Sequence, residues 1–181
     1  MLLSLSAADA QNLLLIQRTW ANNPSNESSD CVQVESDGSY HFEHTPMSLG
    51  QAGTRQIHAG KLSDEEMKQL QGLLDEPGLQ SLTTPKPGPG SMMGGPSFDL
   101  LWVIIGRNNQ RQTLNFNSGG ENSKYTSGTR LPSVYQTPAI KPLLDWYKQI
   151  SKRKNDIDKT AAAACSLEIR ALLIHQRFPF Q

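Results

Sequence analysis

The stretch Phe98–Phe116, FDLLWVIIGRNNQRQTLNF, decides the fold. It reads as two strands joined at Gly106–Gln110. Side chains alternate along a strand, so Phe98, Leu100, Trp102 and Ile104 share one face while Leu101, Val103 and Ile105 share the other. A strand apolar on both faces belongs in the interior of a sheet, covered above and below.

Long polar segments flank this hairpin. Residues 84–97, TPKPGPGSMMGGPS, hold too many prolines and glycines for regular structure. Residues 117–136 form a second polar loop. One loop enters the hairpin and the other leaves it, so both sit at its open end, opposite the 106–110 turn. There they bring together Lys86, Met92, Met93, Tyr125, Arg130 and Tyr135. Adaptable methionines beside tyrosine and arginine suit a protein or glycan partner, which makes this loop pair the candidate binding surface.

Further upstream, residues 31–44, CVQVESDGSYHFEH, read as a hairpin. A three-residue loop, Ser36-Asp37-Gly38 with Gly38 left-handed, pairs Val34 with Tyr40 and Val32 with Phe42. That register gathers the four apolar side chains on one face and turns Glu35, His41 and Glu43 outward. Asn22–Asp30 reads as polar linker, Leu13–Ile16 as a short strand or docking segment, and Thr45–Gly53 as a loop. Thr54–Gly60 is an expected third strand. It leads into a helix with Ser63 as N-cap, Glu66 completing a capping box, and Leu62 positioned to staple against Met67. Met67, Leu70, Leu73 and Leu74 form its apolar stripe, and Pro77-Gly78 ends it. Leu79 and Leu82 tuck beneath in an irregular turn.

Past the second loop, Thr137 is the expected cap of another helix, with Pro138 at its first position and Ile140, Leu143, Leu144, Tyr147 and Ile150 inward. Residues 151–159 are charged linker. Thr160 can cap a last amphipathic helix with Cys165, Ile169, Leu172 and Leu173 in its stripe. Strands joined by short turns, with helices between groups of strands, predict an α+β architecture. About five antiparallel strands carry two or three helices, in a single domain over residues 11–151 followed by a tail over 152–181.

The pattern C-x-x-V-x-S-D-G-x-Y-x-F from Cys31 to Phe42, followed by H-A-G-K-L-S-D-E-E from His58 to Glu66, resembles a group of uncharacterised secreted bacterial domains. The resemblance spans roughly residues 31–116. It implies an exported small α+β domain and carries no catalytic residues across.

Met1–Ala10 also resembles the end of a secretory signal peptide, because Ala8-Asp9-Ala10 fits a small-x-small cleavage site. A secreted or periplasmic protein is therefore expected, with a cytoplasmic one as the alternative. The charge is balanced, with 17 basic and 17 acidic residues, which favours neither nucleic acid nor an acidic substrate. No apolar run reaches the ~20 residues of a membrane helix. The two cysteines, Cys31 and Cys165, lack zinc-site spacing and read as buried thiols or as one disulfide. Closing so long a loop would contribute about 3–5 kcal/mol.

Chemistry is harder to find. His41, Glu43 and His44 form the one compact cluster of metal-ligand types, with His58 near in sequence, yet His41 and His44 differ in strand parity. Ser91 and Ser118 lack a nucleophile elbow, and the glycines of 88–95 lack the Lys-Ser/Thr of a phosphate loop. No cofactor or metal is expected. A non-enzymatic exported binding or envelope domain is the leading expectation. A hydrolase using His41 or His58 with a carboxylate, or a purely structural envelope protein, are the alternatives.

Overall fold

The computed structural model describes residues 12–23, 26–48, 51–52, 55–84, 98–107, 110–117 and 132–153. The doubly apolar segment is strand β6 (Phe98–Arg107), which lies between β1 (Asn12–Asn23) and β7 (Gln110–Asn117). Beyond β1 come β2 (Asn26–Glu35) and β3 (Ser39–Ser48). The far side of β3 pairs with β4 (Gln51–Ala52) at one end and β5 (Gln56–Lys61) at the other. All these pairings are antiparallel. Helices α1 (Asp64–Leu74), α2 (Pro77–Gln80) and α3 (Lys141–Ile150) complete an α+β fold, with 3-10 turns at Val134–Gln136 and Pro138–Ile140.

The helices share a single core with one face of the sheet. Leu14, Ile16, Val32, Val34, Leu101, Val103, Ile105, Leu114 and Phe116 are buried from the strands. Leu70, Leu74, Leu79, Leu143, Trp146 and Ile150 meet them from the helices. Each such side chain contributes about 1.5–3 kcal/mol by leaving water. Leu15, Cys31 and Ile104 point to the other face and form a separate small buried cluster. Every side chain of β6 from Leu100 to Ile105 is at least partly buried, on both faces.

Local chemistry fixes the connections. Val34 pairs with Tyr40 and Val32 with Phe42, and Gly38 has φ 86°, as the three-residue loop requires. A side chain there would also crowd Met67, whose Cγ lies 3.2 Å from the position of a Cβ. Ser63 Oγ accepts from the Glu66 amide at 3.3 Å, and Glu66 Oε2 accepts from the Ser63 amide at 2.8 Å, closing the capping box. Arg153 donates to the same Glu66 carboxylate and stands 5.7 Å over the Tyr40 ring, so it ties the end of α3 to α1 and β3.

Three expectations need correction. Asn22–Asp30 is not a linker: β1 runs to Asn23 and β2 starts at Asn26, making β1 a full-length central strand. On the helix-facing side of its second half, Arg18 and Trp20 replace the aliphatic side chains of the first half. Residues 45–48 extend β3 instead of opening a loop. Pro46 is tolerated because β5 pairs only as far as His44 and β4 only from Met47, so that side of Pro46 needs no donor. Thr137 does not cap α3: Pro138 opens a 3-10 turn, and the α-helix begins only at Lys141.

Candidate functional site

At the open end of the central hairpin, the helix-covered face changes from apolar to polar. Arg18 follows Leu14 and Ile16 on that side of β1, and Trp20 follows Arg18. The register sets Arg18 opposite Asp30 of β2, and Trp20 opposite Asp99 of β6. Arg18 reaches diagonally to grip Asp99 with both arms of its guanidinium, at 2.9 and 2.6 Å. The grip favours the charged form and holds the Arg18 pKa above its ordinary value. The side chain of Asp99 is only 15% exposed and that of Arg18 is 39% exposed, so the pair is half desolvated. The guanidinium also sits 5.0 Å from the centre of the Trp20 ring, a cation–π contact.

Asp30 is the hub of the other half. Its Oδ1 is 2.5 Å from His44 Nδ1, and its Oδ2 accepts from the Tyr147 hydroxyl of α3 at 3.2 Å. Burial, with the negative Asp30 beside it, pushes the Tyr147 phenol far above its usual pKa. Tyr147 therefore keeps its proton and donates a hydrogen bond to Asp30. His44 stacks on Trp20, with ring centres 6.1 Å apart, and so joins the two halves.

The roots of both long loops meet beside this cluster. Leu100 pairs with Asn117, placing the end of loop 85–97 and the start of loop 118–131 on adjacent strands. Thr84, where the first loop begins, accepts from the Asn115 amide at 2.7 Å. The two flanks of residues 118–131 meet: Asn117 bridges Ser133, and its amide donates to the Pro132 carbonyl at 3.0 Å. Residues 133–136 thus form an anchored 3-10 turn rather than loop, with Ser133 Oγ accepting from the Tyr135 amide. Tyr135 projects from that turn with 77% of its surface exposed. Lys86, Met92, Met93, Tyr125 and Arg130 lie outside the described residues.

The histidines singled out in the sequence do not converge. His41 and Glu43 lie on the face away from the helices, but they do not project into water: Glu43 is 4% exposed and bonds His41 Nε2 at 2.7 Å. The His41 ring gives this buried carboxyl group a hydrogen-bond partner, without which its burial would be costly. His58 lies on the helix-covered side of β5, 9% exposed, its ring against Phe42 and its Nδ1 without a hydrogen bond. Among the described residues no group of three metal-ligating side chains forms, and no hydroxyl bonds to His44. No described helix is long and apolar enough to cross a membrane.

Sequence reading missed Arg18, Trp20, Asp30 and Asp99 as a set. The available signal was the even-numbered phase Leu14-Ile16-Arg18-Trp20, which continues the apolar stripe into charge and ring. No family model matches this chain, and no curated protein is significantly similar to it.

Proposed function

We propose that this chain is a non-enzymatic, exported recognition domain that contacts a protein or glycan through the open end of its central hairpin. One observation carries the reading: both loops are rooted on the same pair of strands, next to Tyr135, the one exposed large hydrophobic side chain among the described residues. The Arg18–Asp99 grip and the Asp30 hub act as a rigid base, which lowers the entropy lost when such loops engage a ligand. Tyrosine at that rim supplies contact area at little conformational cost. The disulfide at Cys31 supports an oxidising compartment and hence export.

Glycan and peptide arrays probed with the full chain test this reading. Binding to at least one array feature is expected, lost in Tyr135→Ala and kept in Gln112→Ala. Absence of binding, or binding indifferent to Tyr135→Ala, would overturn it. The His41–Glu43 pair favours one second reading, a hydrolase on the opposite face, because a carboxylate-oriented imidazole is a general base. Release of product from an array ligand, abolished by His41→Ala, would establish that alternative.

A further inference from the structure

We infer that the chain's own C-terminal segment, residues 160–175, covers the sheet face opposite the helices and is fastened there by a disulfide between Cys31 and Cys165. Leu15, Cys31 and Ile104 are buried on that face, yet none of the side chains of the described helices belongs to their cluster. Cys31 is disulfide-bonded, and the sequence holds one other cysteine, Cys165, outside the described residues. An apolar stripe surrounds that second cysteine: Cys165, Ile169, Leu172 and Leu173 recur at helical spacing behind a run of four alanines.

The dimensions agree. Cys31, Leu15 and Ile104 lie on the neighbouring strands β2, β1 and β6, and two strand spacings amount to about 10 Å. From Cys165 to Leu173 a helix rises about 12 Å. A helix laid across the strands would set Cys165 at Cys31, Ile169 over Leu15, and Leu172 and Leu173 over Ile104. The sheet then carries helices on both sides, which explains why β6 is apolar on both faces.

Reduction by a dithiol would open the latch. The reagent's two thiols become its own disulfide, and Cys31 and Cys165 each gain a proton as thiols. Mass spectrometry of the unreduced full chain after digestion should find the peptides of Cys31 and Cys165 joined. Nuclear Overhauser contacts should connect Ile169 and Leu172 methyls with those of Leu15 and Ile104. In Cys165→Ser the thiol of Cys31 should react slowly with a maleimide, because packing persists; adding Leu172→Asp should remove that protection. Cys31 linked to a second copy of the chain, absence of the methyl contacts, or equal labelling of the two variants would each overturn the inference.

Discussion

The two ends of the helix-covered face handle polar groups in opposite ways. At the turn end of the central hairpin, side chains serve the backbone. Arg107 donates to the Leu74 carbonyl at the end of α1, and Gln112 Nε2 donates to the carbonyls of Leu79 and Leu82 at 2.9 and 3.0 Å. Such bonds satisfy carbonyls that helix ends leave without partners, so they are structural. At the loop end, side chains serve each other: Arg18 grips Asp99, and Asp30 joins His44 to Tyr147. That second network bonds side chain to side chain. Its polarity is better explained by what lies beyond it, the roots of two long loops and an exposed tyrosine.

Substitutions can break or sharpen this contrast. The largest effect belongs to the shared core: Phe116→Ala should cost about 3–5 kcal/mol in chemical denaturation and weaken both ends together. Gln112→Ala should cost about 1–3 kcal/mol by orphaning helix-end carbonyls, with array binding intact. Asp99→Asn should cost only about 1 kcal/mol, since the freed guanidinium can reach water, but should weaken array binding. Tyr135→Ala should shift stability by no more than about 0.5 kcal/mol while abolishing binding, the cleanest separation of the two roles.

The smallest effect is a pH dependence remote from both ends. Hydrogen bonding from the Ser63 amide, reinforced by Arg153, holds Glu66 below its ordinary pKa. A carboxylate with a lowered folded-state pKa adds stability above its unfolded value of about 4.3 and loses it as pH falls through the folded value. The stability gap between wild type and Glu66→Gln should therefore be full near neutrality and close in acid. A gap independent of pH would remove the capping carboxylate from the account.

Much of the fold was legible because it rests on local pattern. The double apolar phase of Leu100–Ile105 marked an interior strand, Gly38 marked the register of its hairpin, and Ser63 with Glu66 marked a helix start. The polar half of β1 was not legible, since Gln17–Asn23 shows no apolar alternation and its stability comes from partners far away in sequence. Arg18 and Asp99 meet only once the β1–β6 register is known, as do Arg18 and Asp30 through β1–β2. For the same reason, the adjacency of the loop roots followed from hairpin geometry, whereas the charged base beneath them did not. His41 and Glu43 were misread as outward because parity tells which face a side chain takes, not whether that face is wet.

The most direct test is amide NMR of the full chain titrated with an array-selected ligand. The account expects shift changes concentrated at Asp99, Asn117, Ser133 and Tyr135, with Arg107 and Gln112 unmoved. Changes centred on the 107–112 turn, or on His41 and Glu43, would contradict it.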